Sequence, residues 1–83
     1  MKYSLFYAAV IRAKYYVTAE EHELLGIKAY AVKVEEIKNL KTMETSPVSL
    51  LMLSDEEEVM PAWETLCEVF DAIAEAEEEE EDD

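Results

Sequence analysis

The chain has 83 residues and a formal net charge of −14, with one glycine, two prolines and one cysteine. Because 51% of its residues are hydrophobic, it can form a core, and a wholly disordered or disulfide-stapled chain is excluded. Its length predicts one compact domain over residues 1–78 and an acidic, disordered tail over residues 79–83.

The charge is unevenly distributed along the chain. Residues 1–41 contain all seven basic residues and five acidic ones, a balance of +2, whereas residues 42–83 contain sixteen acidic residues and no lysine or arginine. Such a field disfavours direct contact with nucleic acid or a membrane surface and attracts basic proteins. No stretch approaches the roughly 18–20 apolar residues of a membrane span. We therefore expect a protein in the cytoplasm of a host cell.

The first half of the chain predicts two strands separated by a short helix. Residues 3–17 alternate between apolar and polar side chains and predict one long strand with a bend or bulge, although some helical spacing competes. Thr18 and Glu21 have the spacing of a capping box and Gly26 is a plausible stop just past the end, which predicts a short helix of about two turns within residues 18–26. Residues 27–37 are ambiguous between strand and helix, and we favour a strand.

The second half predicts a strand, an acidic turn and a long helix. Residues 48–53 are apolar on both faces, which predicts a short central strand after a polar connection closed by Pro47. Ser54 is the expected helix cap. Because Pro61 is tolerated at the start of a helix but not in its interior, we expect an acidic turn over residues 54–59 and a main helix over residues 61–78.

Apolar residues of the predicted helix recur at steps of three and four, which predicts one stripe facing the core. The stripe comprises Val59, Trp63, Leu66, Phe70 and Ile73, with Cys67 and Ala74 beside it. The predicted fold class is α+β: a small antiparallel sheet of about three strands, with a short helix and a long acidic C-terminal helix packed on one face.

The residue types that carry catalysis are scarce. His22 is the only histidine and is expected on the surface, whereas Cys67 lies on the apolar stripe, so the two predict no catalytic pair. With Gly26 as the only glycine there is no phosphate-binding loop, and neither zinc spacing nor a calcium loop is present. We predict a protein without enzymatic activity, cofactor or metal.

The acidic residues of the second half are the main functional signal. Acids at residues 55–58 suit a solvated helix start, and those at residues 77–83 suit a solubilising tail. Repeated along a helix, however, carboxylates lie about 5–6 Å apart, and a DNA strand presents one phosphate per roughly 3.4 Å of axis. A rigid acidic helix therefore fits a groove built for a phosphate backbone, which predicts DNA mimicry.

The stretch from residue 49 to residue 59, SLLMLSDEEEV, resembles the inhibitory segment of the phage uracil-DNA glycosylase inhibitor family. That family's strand reads Glu-Ser-Ile-Leu-Met-Leu, followed by Pro-Glu-Glu and an acidic, apolar helical turn. The identities are Ser49, Leu51, Met52, Leu53, Glu56 and Glu58, and Leu50 and Asp55 match by type. Val48 stands where the family has an acid. The family's segment also lies early in its chain with strands after it, whereas here 48 residues precede it and only a helix is expected to follow.

The resemblance implies that the edge of this strand enters the DNA groove of the enzyme. It implies a groove hydrogen bond for Ser49, a phosphate-like role for Glu56, and places for Met52 and Val59 at an apolar pocket that receives a leucine of the enzyme. The expected partner-binding residues are Ser49, Leu51, Met52, Asp55, Glu56, Glu57, Glu58, Val59, Glu64 and Glu68.

The favoured hypothesis is a DNA-mimic inhibitor of phage or mobile-element type, with uracil-DNA glycosylase as its first candidate target. A CRISPR effector or a restriction enzyme is an alternative target. Two other hypotheses remain: an acidic structural protein that forms oligomers, and an acidic adaptor for basic proteins. The chain is expected to be a monomer or a small homo-oligomer.

Overall fold

The computed structural model describes residues 2–80 and contains a four-stranded antiparallel sheet followed by a long helix. The elements are β1 (Lys2–Ile11), β2 (Tyr15–Leu24), β3 (Ile27–Asn39), β4 (Glu44–Leu53), a 3-10 turn (Glu56–Glu58) and α1 (Val59–Glu80). The strand order is β1-β2-β3-β4, so each strand pairs with its neighbour in sequence. The predicted α+β class is confirmed, with four strands rather than about three.

The predicted long strand over residues 3–17 is divided by a tight hairpin. Arg12 and Ala13 both adopt left-handed backbone conformations, with φ of 52° and 59°. The Lys14 N–H donates to the carbonyl of Ile11 at 2.9 Å. Two consecutive positive φ angles are typical of a type I′ turn, whose twist matches that of the flanking strands. The expected bend is therefore a complete reversal of the chain.

The predicted helix over residues 18–26 is wrong, because these residues continue β2 and then turn. Thr18 is buried and pairs with Ala8 on one side and Lys33 on the other. Since β2 is hydrogen-bonded to a strand on each side, the stability of these two ladders outweighs the local helix preference of a capping box. Gly26, with φ of 78°, does mark a chain reversal, but it is the second residue of a hairpin turn.

The strand predicted over residues 27–37 is confirmed and extends to Asn39. The next strand, β4, begins at Glu44 and lies at the edge of the sheet, so the prediction of a short central strand is wrong. Pro47 lies within β4 beside a shift in register, where Ser49 pairs with Val34. An edge strand with a bulge tolerates the missing N–H of a proline.

The start of α1 also differs from the prediction. The carboxylate of Asp55, rather than the Ser54 side chain, accepts a hydrogen bond from the Glu57 N–H at 3.2 Å. Pro61 is the third residue of α1, within the first turn, where a backbone N–H has no intrahelical partner in any case. The expected acidic turn is present as the 3-10 turn, but α1 begins at Val59 rather than at Pro61. The disordered tail predicted over residues 79–83 falls mostly outside the described residues, and α1 reaches Glu80.

The core lies between α1 and one face of the sheet. The helix packs mainly on β2, with β1 and β3 on either side. The buried hydrophobic residues between them include Tyr15, Val17, Ala19, Tyr30, Val32, Val34, Val59 and Ala74. The buried residues form two clusters, and Trp63 packs against both of them. Its Nε1–H donates to the carbonyl of Val17 at 3.1 Å. Ile73 is 38% exposed, so the predicted stripe is wrong at that position.

The other face of the sheet is left uncovered by α1. Alternate residues of all four strands point to it, and we call it the open face.

Within residues 2–80, no helix has the length and the apolar content that a membrane span requires.

Candidate protein-binding surface

The acidic residues around the start of α1 form an exposed, unpaired surface. All six are exposed, and none has a basic side chain within 4.0 Å among the described residues. These residues are Asp55, Glu56, Glu57, Glu58, Glu64 and Glu68. Glu64 and Glu68 are four residues apart on α1 and lie on the same side of that helix, whereas the other four acids lie in or next to the 3-10 turn. We call this set the unpaired acidic surface.

Farther along α1 the acidic residues have basic partners from the β1–β2 turn. Nε of Arg12 lies 2.8 Å from Oδ1 of Asp71, and Nη1 lies 3.0 Å from Oε2 of Glu78. Nζ of Lys14 lies 3.6 Å from Oε2 of Glu77. The hydrogen bond to Asp71 is the main reason why the pKa of Arg12 is raised. Two basic side chains therefore offset part of the negative charge in the second half of α1, whereas among the described residues none lies within 4.0 Å of the acids near its start.

Strand β4, which directly precedes the acidic turn, carries exposed apolar side chains on both faces of the sheet. Leu50 and Met52 are 61% and 55% exposed and point to the open face, whereas Leu51 is 40% exposed and points to the helix side. Leu51 remains exposed because α1 covers β1–β3 rather than β4. Ser49 also points to the helix side and is half-buried.

The pocket that the family resemblance implies is not formed. Val59 is 1% exposed and packs against Ala19, Tyr30 and Val32, so it cannot contact a partner. Met52 points to the opposite face of the sheet. A single pocket cannot use both side chains, and the predicted role of Val59 at a partner surface is wrong.

A polar cluster at the centre of the open face was not anticipated from the sequence. Glu20 is only 1% exposed, and its Oε1 lies 2.7 Å from Nζ of Lys33. Nε2 of His22 lies 2.8 Å from Oε2 of Glu20, an oxygen for which no hydrogen bond is found among the described residues. The bond to Glu20 is the main reason why the pKa of Lys33 is raised. The signal for this pair was the Leu25–Gly26 turn, since its register makes Glu20 and Lys33 diagonal neighbours.

The two residues considered for catalysis, Cys67 and His22, lie on opposite sides of the sheet. Cys67 is half-buried on α1, and burial raises the pKa of its thiol, which disfavours a reactive thiolate. His22 lies on the open face, on the other side of the sheet. Within residues 2–80, no group of three or more His, Cys, Asp or Glu side chains is arranged to hold a metal ion.

Comparisons with protein-family models, with curated proteins and with solved structures gave no match. The surface chemistry of the chain is therefore the basis for its proposed function.

Proposed function

We propose that this protein is a DNA-mimic inhibitor of the phage or mobile-element type, which occupies the DNA-binding groove of a nucleic-acid-processing enzyme. The observation that carries this proposal is the unpaired acidic surface. Its carboxylates extend from the 3-10 turn over the first half of α1, and the single arginine of the chain, Arg12, is engaged with acids elsewhere on the helix.

The physical argument rests on how the carboxylates are held. Glu64 and Glu68 are four residues apart on α1 and so lie about 5–6 Å from one another, and the acids of the 3-10 turn extend the negative charge beyond the start of the helix. Arginine and lysine side chains that bind phosphates also form charge-assisted hydrogen bonds with carboxylates. Because Trp63 anchors α1 to β2, the helix is ordered before binding, and less conformational entropy is lost in the complex.

Uracil-DNA glycosylase is the first target that we propose to test. The sequence likeness over residues 49–59 motivates this choice, and two features of the structure support it: β4 is an exposed edge strand, and the acidic turn follows it directly. In this version of the site, Leu51 and the unpaired acidic surface contact the enzyme, and Val59 supports α1 from the core. CRISPR effectors and restriction enzymes are the alternative targets.

The test is a uracil-excision assay with a bacterial uracil-DNA glycosylase and stoichiometric added protein, at low and high salt. We expect full inhibition near one-to-one and weaker inhibition at high salt, because exposed charge pairs are screened. The informative variant is Glu64→Gln/Glu68→Gln. Because a hydrogen bond to a charged group contributes about 1.5–3 kcal/mol, we expect inhibition to weaken at least about tenfold.

The matched control is Glu75→Gln/Glu78→Gln, which removes the same charge from acids of α1 that lie beside Arg12. We expect this control to inhibit nearly as well as the parent protein. Equal weakening in both variants would mean that bulk charge, rather than the unpaired acidic surface, governs binding. Without inhibition at large excess, the glycosylase is excluded, and the same variants are used in DNA-competition assays with restriction enzymes and CRISPR effectors. No competition with any of them would overturn the proposal of DNA mimicry.

A further inference from the structure

The open face carries an unusual amount of exposed apolar surface. Seven large apolar side chains point to it from all four strands, and each is between 48% and 73% exposed. They are Tyr3, Leu5, Val10, Leu24, Ile27, Leu50 and Met52. These side chains surround the polar cluster of Glu20, Lys33 and His22 at the centre of the face, and this amount of exposed apolar surface on a small domain is typical of an interaction surface.

The open face is also nearly free of net charge. Although the chain has 21 acidic residues, the carboxylates within the paired centre of this face are those of Glu20 and Glu35. Lys33 lies beside both, and each of them contributes to its raised pKa. Glu20 is buried, and Glu35 accepts a hydrogen bond from the Thr45 hydroxyl at 3.0 Å. Two chains with a charge of −14 repel one another, and the open face is where they can approach with the least repulsion.

The size of the open face matches what self-association requires. Four strands spaced about 4.8 Å apart and about 33 Å long give an area of about 600 Å² per copy. Two copies would therefore bury about 1,200 Å² in total, which reaches the range of specific interfaces. This flat area does not include the additional surface of side chains that project from the sheet.

The edges of the sheet are less suited to pairing with another copy. The register of β1 is interrupted between Leu5 and Tyr7, and that of β4 is interrupted at the position of Val48. Bulges and prolines on edge strands disfavour the addition of a further strand. Contact between faces is therefore favoured over extension of the sheet.

From these observations we infer that two copies of this chain associate through their open faces. The product is a β-sandwich with twofold symmetry, in which the sheets lie about 10 Å apart and both α1 helices lie on the outside. The unpaired acidic surface stays exposed in this dimer. The inference does not depend on the proposed inhibitory function.

The experiment is sedimentation equilibrium of the whole chain over a concentration series at two salt concentrations. We expect a mass that rises from the 9.5 kDa of one chain to twice that value. Higher salt should strengthen the dimer, because it screens the repulsion between the two acidic chains. Leu50→Glu and Met52→Glu each place charges in the contact, and each should weaken the dimer at least tenfold. Val69→Glu changes a residue of α1 that is 44% exposed, and it should leave the dimer unchanged.

Trp63 fluorescence reports whether each variant is folded, since its indole lies between α1 and the sheet, on the side away from the open face. If a variant at Leu50 or Met52 loses this signal, Leu5→Glu tests the same face from β1. A parent protein that keeps the mass of one chain at the highest concentration would overturn the inference. So would a Val69→Glu variant that weakens the dimer as much as Met52→Glu does, because the contact would then involve α1.

Discussion

Replacement of Val59 by alanine distinguishes a core role from a partner-contact role for this residue. Its side chain is 1% exposed between α1 and the sheet. The substitution removes two carbon atoms at about 0.8 kcal/mol each, and the cavity that remains adds a further cost. Alanine recovers several tenths of a kcal/mol through its higher helix propensity. We therefore expect the free energy of unfolding to fall by about 2 kcal/mol.

The assay is urea denaturation followed by Trp63 fluorescence, with thermal melting as a second readout. For a domain of this size, about 2 kcal/mol corresponds to a decrease in Tm of about 8–16 °C. The matched control is Met60→Ala, because Met60 is the next residue of α1 and is 46% exposed. Its effect is expected to stay within about 0.5 kcal/mol. A Val59→Ala variant as stable as the control, but defective in binding a partner, would refute the assignment of Val59 to the core.

Two further predictions concern pH and turn geometry. Burial, followed by the hydrogen bond that Tyr15 donates to Glu77, raises the pKa of the Tyr15 phenol; the folded state therefore holds this proton more tightly than the unfolded state does. The resulting stability is fully present below the ordinary pKa of about 10 and is lost as pH rises through the folded-state pKa. Because phenylalanine has no proton to lose, the urea midpoint of Tyr15→Phe should fall less at alkaline pH than that of the parent protein. An equal fall in both proteins would contradict this prediction. Leu25 is 92% exposed with φ of 55° in the turn before Gly26. Because Asn-Gly is strongly preferred in type I′ turns, Leu25→Asn should raise the free energy of unfolding by about 1 kcal/mol, and a lower Tm would contradict that expectation.

The strands that follow simple alternation could be predicted from the sequence, whereas the β1–β2 turn could not. The β1–β2 turn uses Arg12 and Ala13, neither of which is a usual turn residue, so nothing in the composition marks the reversal there. The residues from Thr18 to Gly26 carry a genuine helix-start signal, but it competes with β1 and β3, which pair with both sides of β2. The free-energy cost of leaving the hydrogen bonds of those two ladders unpaired cannot be read from the local sequence pattern.

The candidate site was predictable in its acids and not in its apolar part. Glu64 and Glu68 are exposed as expected, because charged residues off the apolar stripe of a helix remain in solvent. Met52 and Val59 were expected together because the family resemblance implies that both lie at one apolar pocket. Strand alternation sends Met52 to the open face, and the first turn of α1 sends Val59 into the core. That separation depends on the edge position of β4, which its apolar sequence did not indicate.

The connectivity of the fold has a consequence for the order in which the chain folds. Each strand reverses into its neighbour through a short turn, so the sheet requires only local loop closure, and hairpins form in about 1–10 μs. The contact between Trp63 and Val17, in contrast, joins residues 46 positions apart. Since loop-closure entropy grows with the length of the loop, the docking of α1 is expected to be the slowest of these steps. Until it docks, both surfaces of the sheet are bare, and mutual repulsion between highly acidic chains then protects the folding protein from aggregation.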